Sequence, residues 1–106
     1  MTLGQKQRLF VRMLGQLINH AYLIGYEMSL SRGYASAAAN KADGGHPRSN
    51  HLNRLAIDLN LFKDGKFLTS TEDHKPLGLY WESIGGTWGG RFNDGNHYSL
   101  EHNGVK

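Results

Sequence analysis

The chain has 106 residues, of which 39% are hydrophobic and 20% charged, a formal charge of +3 and no cysteine. That length suits one domain, and the missing cysteine excludes disulfides, thiolate metal sites and cysteine nucleophiles, so a bound metal must be held by nitrogen and oxygen. The positive charge suits an anionic partner, whether nucleic acid, an acidic lipid surface or a bacterial cell wall, and no apolar run reaches the roughly 18 residues of a membrane span.

The opening MTLGQKQRLF has polar residues where a secretory signal needs an apolar stretch. The expectation is a chain made in the cytoplasm without an export tag, not inserted in a membrane and monomeric. Residues 5–22 carry helical periodicity, with Phe10, Leu14, Leu17, Ile18 and Ala21 on one face and Lys6, Arg8 and Arg12 mostly elsewhere. Gly25 breaks the pattern. Tyr26, Met28 and Leu30 then alternate with Glu27 and Ser29, which is the period of a strand. RGYASAAAN (32–40) suits a short helical turn, and KADGGHPRSN (41–50) is a loop.

LAIDLNLF (55–62) reads as a strand that ends at Asp64-Gly65, a dipeptide suited to a tight hairpin turn, and KFL returns. TSTEDHKPLGLYWESIGG (69–86) reads as a helix. Ser70 or Thr71 caps it, Pro76 is tolerable only near its start, and Leu77, Tyr80, Trp81 and Ile84 share a face. Gly85 supplies the left-handed stop. TWGGRFNDGNHYSLEH (87–102) is a glycine-rich loop that runs into a short strand around His97. The order of elements predicts an α+β fold, a small antiparallel sheet packed with helices.

Asp58 is the anomaly. Side chains alternate along a strand, so Leu55, Ile57, Leu59 and Leu61 point to the core while Ala56, Asp58 and Asn60 point the other way. A buried carboxylate without a partner costs several kcal/mol, so this second face must meet a hydrated cleft or a cation. His51, just before the strand, and His97 complete a His-Asp-His set that suits zinc and leaves a position open for water. Asp94 is placed to take a proton from that water. The alternative is a surface histidine beside a hydrogen-bonded aspartate, and spacing alone leaves it open.

SNHLNRLAID (49–58) resembles the Ser-x-His-x-x-Gly-x-Ala-x-Asp motif of the M15 zinc peptidases. These include D-Ala-D-Ala carboxypeptidases and dipeptidases and phage L-alanyl-D-glutamate endopeptidases. WGGRFNDGNHY (88–98) resembles the second motif of the phage branch, and LNLF and YWESIGGTW are also similar to stretches of the phage endolysins. The likeness runs over roughly residues 22 to 100. Two departures stand out: Arg54 occupies the glycine position, and Asp94 stands where many members have glutamate.

The resemblance implies a D-Ala-D-Ala-peptidase-like (hedgehog/DD-peptidase) fold, with His51, Asp58 and His97 as Zn2+ ligands and Asp94 as catalytic general base. Ser49 would orient a ligand or meet substrate. Arg32 or Arg48, and less so Arg91, would bind a carboxylate of a peptidoglycan stem peptide. It further implies a phage or prophage endolysin held in the host cytoplasm and released, with the help of a holin, to the cell wall. The rivals are a D-Ala-D-Ala carboxypeptidase or dipeptidase with the same site, an inactive zinc-bound phage structural protein, and a DNA-binding module. The last is disfavoured, because the basic residues form no stripe and no helix-turn-helix pair is present. His20, His74, His46 and His102 are read as solvated, Trp81 as core and Trp88 as lining the cleft.

Overall fold

The computed structural model describes residues 1–106. Helix α1 (Leu3–Leu23) is closed at its start by a capping box: the Gln5 N–H donates to Thr2 Oγ1 and the Thr2 N–H donates to Gln5 Oε1. Phe10, Met13, Leu17 and Ala21 recur every three or four residues and are buried. Leu14 and Ile18, expected on the same face, lie half-buried at its margin. The buried stripe therefore turns slightly toward Met13.

After α1 come β1 (Glu27–Leu30), α2 (Ala37–Ala42), β2 (Ala56–Lys63), β3 (Lys66–Leu68), α3 (Thr71–Ser83), β4 (Thr87–Trp88), a 3-10 turn (Gly89–Phe92) and β5 (His97–Ser99). The strands form one antiparallel sheet in the order β1-β2-β5-β4, with β3 also paired to β2. The hairpin between β2 and β3 turns at Asp64 and Gly65, with φ of 52° and 76°. Those angles are why the turn needs an aspartate and a glycine.

Strand β2 organises the molecule. Leu55, just before it, and Ile57, Leu59 and Leu61 within it are buried against α1 and α3, while Asp58 and Asn60 stay half-exposed on the other face. The core is closed by Trp81 of α3, whose ring meets Phe10 and Tyr98 edge-on at 5.8 and 6.1 Å. The Trp81 indole N–H donates to the carbonyls of Thr87 and Ser99, so this large ring is buried without an orphaned donor.

Three expectations change. Residues 87–92 are not all loop: β4 and the 3-10 turn lie there, both too short to leave a periodic signature. Pro76 sits at the sixth position of α3, where the carbonyl of Glu72 loses its helical partner on an exposed face that water can serve. Trp88 is 4% exposed and does not line the cleft. It lies under helical Gly78, and its indole N–H donates to the Gly95 carbonyl at 2.8 Å.

Gly89 marks the tightest approach near the site. A Cβ there would lie 2.2 Å from the carbonyl oxygen of Asp94 and 2.6 Å from His97 Cβ. Gly89→Ala is expected to cost about 1–3 kcal/mol, the usual range for overpacking, measured as a lower urea midpoint with an unchanged m-value.

Candidate metal centre

The three donors come from separate parts of the chain. His51 lies on the turns between α2 and β2, Asp58 is in the middle of β2, and His97 opens β5. Asp58 and His97 are directly paired across β2 and β5. Cross-strand partners share a sheet face, so the register brings these two side chains together. One donor atom from each of His51, Asp58 and His97 lies within 4.8 Å of the others.

Asp58 Oδ1 is 3.3 Å from His51 Nε2 and 3.3 Å from His97 Nδ1. That separation matches the edge of a tetrahedron whose corners lie about 2.0 Å from its centre, the usual zinc–nitrogen and zinc–oxygen distance. The tautomer of His51 fits as well. Its Nδ1–H donates to the Gly33 carbonyl at 2.7 Å, which leaves the Nε2 lone pair facing Asp58. Two imidazoles and one carboxylate, without sulfur, are a donor set suited to zinc.

Local structure holds each donor. Ser49 Oγ accepts from the His51 backbone N–H at 3.2 Å and fixes the turn that carries the imidazole. The Asp58 N–H donates to the Arg32 carbonyl at 2.7 Å, and the Ser31 N–H donates to the Asp58 carbonyl at 2.9 Å. Arg54, at the glycine position of the first motif, takes a φ of 55° and sets its guanidinium 4.0 Å from the centre of the Tyr34 ring. Left-handed backbone is unfavourable for a side chain of this size. The stacking and the Arg54 N–H bond to the His51 carbonyl accompany it.

Electrostatics couple the group. Burial disfavours the charged form of Asp58, but the hydrogen bonds and charges of His51 and His97 outweigh it and hold the carboxyl at about 2. Burial likewise works against a charged His51, yet the bonds to Asp58 and Gly33 leave it raised above 6.5. Asp94 moves the other way: burial raises its carboxyl above 3.8, the imidazoles oppose this, and the charge of Asp58 adds to it. Its Oδ2 is 4.0 Å from His97 Nδ1, and half of its side chain is exposed.

A cleft of about 600 Å³ opens over the cluster, lined among others by His46, Arg48, Ser49, His51, Asp94 and His97. Arg48 lines it, while its guanidinium donates to the Asn103 carbonyl at 2.7 Å. Arg32 does not: it is paired with Asp43, outside the cleft lining. Arg91 is held by both carboxylate oxygens of Glu82, at 2.7 and 2.8 Å. His74 is a correction. Read as solvated, it is 2% exposed, because α3 turns its ring under the sheet onto Tyr98. Its sequence signal was its spacing of three from Leu77 and seven from Trp81 on the buried face.

An antiparallel sheet flanked by helices, with an aspartate and a histidine on its cleft face, a second histidine brought to them by a turn and a separate carboxylate at the rim, is the build of a metallopeptidase. The family model described as D-alanyl-D-alanine carboxypeptidase, of the M15 peptidases, matches residues 42–100, and the chain belongs to that family. Solved structures share its fold, two of them as follows. The L-Ala D-Glu endopeptidase ChiX of Serratia marcescens matches with a TM-score of 0.71 and 20% identity, over 92% of this chain and 85% of that one. The vancomycin-resistance D,D-pentapeptidase VanY from a VanB-type cassette, a mutant in complex with Zn(II), matches with a TM-score of 0.62 and 19% identity, over 86% of this chain and 70% of that one. No curated protein matches the chain in sequence.

The pKa directions give opposite pH trends with and without metal. The raised His51 stabilises the metal-free fold below pH 6.5, and this is lost as pH rises through its folded-state value. The depressed Asp58 stabilises it above 3.8, and this is lost only as pH falls toward about 2. Burial lowers the pKa of His74 and acts in the opposite sense, so the His51 part is read against a variant: from pH 6 to pH 8 the melting temperature of chelated parent protein is expected to fall relative to that of chelated His51→Gln. Zinc affinity, which requires deprotonated imidazoles, is expected to rise over the same interval, measured by competition with a chromogenic chelator.

Proposed function

We propose that the chain is a zinc peptidase that hydrolyses the L-alanyl-D-glutamate bond of peptidoglycan stem peptides and serves a phage or prophage as an endolysin. The observation that carries this is the His51–Asp58–His97 cluster with Asp94 free at its edge, in a cleft bordered by Arg48. His51, Asp58 and His97 would hold the ion. Bound zinc supplies Lewis acidity, polarising a carbonyl and lowering the pKa of water from about 15.7 toward about 7.

The chain's own residues do the rest. Asp94 accepts a proton from the attacking water as its oxygen bonds to the scissile carbonyl carbon. The carboxyl then returns that proton to the amide nitrogen, and the carbon–nitrogen bond breaks to give a free carboxylate and a free amine. Ser49 keeps His51 oriented through its backbone, and Arg48 is the cleft cation placed to pair with a substrate carboxylate. Arg32, the other candidate, would first have to leave Asp43.

The family description keeps a second reading in view, release of a terminal D-alanine by the same centre. Incubating purified sacculi with zinc-loaded protein separates the two. New D-glutamate amino termini are expected, and free D-alanine without them would replace the endopeptidase reading with the carboxypeptidase one. Asp94→Asn should lower the rate by roughly 10²- to 10⁴-fold, with zinc affinity within a few-fold of the parent. Lysis undiminished in Asp94→Ala would point instead to a non-catalytic role.

A further inference from the structure

The cleft face of β2 continues beyond the metal cluster. Asp58 and Asn60 lie on that face, and two residues along a strand span about 6.6 Å. Asn60 borders a second cavity of about 210 Å³, set where β2 passes from its pairing with β5 to its pairing with β3; Phe67, Thr69, Thr71 and Asn96 also line it, and Leu59, Leu68 and His74 close it from the core side. Asp94 lines both this cavity and the cleft that holds His51 and His97. The two spaces thus adjoin across the carboxylate assigned as general base.

Their chemistry differs. Arg48 and Lys106 line the cleft, whereas the second cavity has no cation and Asp94 is its one acidic wall residue. Burial lowers the pKa of His74 below 6.5, so its ring is neutral near pH 7. The Tyr98 hydroxyl is fully buried, and its hydrogen-bond partner is His74 Nδ1, at 2.8 Å. A buried hydroxyl must donate, which places the imidazole proton on Nε2. That nitrogen has no acceptor within the protein, and its ring forms part of the cavity wall.

Neutral amides, hydroxyls and an unpaired imidazole N–H line the space beside Leu59 and Leu68, and Phe67 stands at its edge with 56% of its surface exposed; the Asn60 Nδ2 donates to Ser29 Oγ and Thr71 Oγ1 accepts from the Gly95 N–H, which leaves Asn60 Oδ1, Thr69, Asn96 and His74 Nε2 for a ligand. Such a wall suits a neutral polyol. A phenyl ring takes the C–H face of a sugar, and Asn, Thr and His side chains take its hydroxyl and acetamido groups. It does not suit the carboxylates of a stem peptide, for which the cationic cleft is the better seat.

We propose that this cavity is a subsite for the N-acetylmuramyl sugar, so that the glycan-bearing side of the substrate lies over Asn60, Phe67 and His74 and the carboxylate-bearing side lies in the cleft with Arg48. The inference rests on the peptidoglycan reading of the site. One alanine and one lactyl link separate the L-alanyl-D-glutamate bond from the sugar, about 7 Å when extended, close to the span from Asp58 to Asn60.

The test compares two soluble stem peptides with zinc-loaded protein, one carrying N-acetylmuramyl at its amino end and the other an acetyl cap. kcat/KM is expected to be at least roughly tenfold higher for the muramyl peptide, and Phe67→Ala should bring the ratio toward one. Equal values on both peptides overturn the subsite and leave the peptidase reading standing. In parallel, metal-free protein is titrated with neutral N-acetylmuramyl-L-alanine amide, and backbone NMR shifts are mapped. Shifts at Phe67, Thr69 and Asn96 that vanish in Phe67→Ala support the subsite even where neither peptide is cut, a result that would sink the peptidase reading alone. No shifts there, or shifts confined to residues around Arg48, overturn the subsite.

Discussion

The pairing of β5 with β2 is the constraint on which the site depends. Asp58 faces His97 because Ile57 faces Tyr98 and Ala56 faces Ser99. A slip of one residue would send Asp58 into the core and Leu59 into water, since side-chain direction reverses at each step. The apolar residues Leu55, Ile57, Leu59 and Leu61, each 8% exposed or less, therefore fix the candidate ligands Asp58 and His97 as firmly as they fix the core. Burial and chemistry share one strand.

The third member of the candidate cluster is brought in by other means. His51 lies outside the sheet, on a series of turns. Its position comes from Ser49 beneath its backbone, from the Gly33 carbonyl on its ring, and from the Ala35 and Arg54 N–H groups on its own carbonyl. This is a network of modest bonds in place of one strong one. The residue at the motif's glycine position joins that network: Arg54 accepts a left-handed backbone and spreads its guanidinium on Tyr34. A position that usually needs no side chain has here acquired one with a contact of its own.

The segment 88–97 brings Asp94 to the rim. Trp88 anchors one end by its bond to the Gly95 carbonyl, and Thr71 Oγ1 accepts from the Gly95 N–H at the start of α3. Gly89 lets the chain pass within van der Waals reach of Asp94 and His97. The half-exposed carboxylate is thus tied to both the sheet and α3, which explains why it borders two differently charged spaces. A shorter aspartate in place of the glutamate of many relatives is compatible with a segment held this close.

Local pattern sufficed for much of the molecule. Period-two alternation exposed β2 and the oddity of Asp58, Asp64-Gly65 announced the hairpin, and the 3.6-residue period found α1 and α3 with Trp81 in the core. The two short motifs resembled a family whose model matches residues 42–100. Spacing placed His74 on the α3 face of Leu77 and Trp81 without showing that Tyr98 stands opposite it, and it did not reveal the existence of β4, the burial of Trp88, the pairing of Arg32 with Asp43, or the cavity beside Asn60. Each of these depends on residues far apart in sequence meeting in space: Trp88 under Gly78, His74 beneath Tyr98, Asp94 across from Thr71. Periodicity records which way a side chain faces on its own element, and only the packed fold decides what stands opposite it.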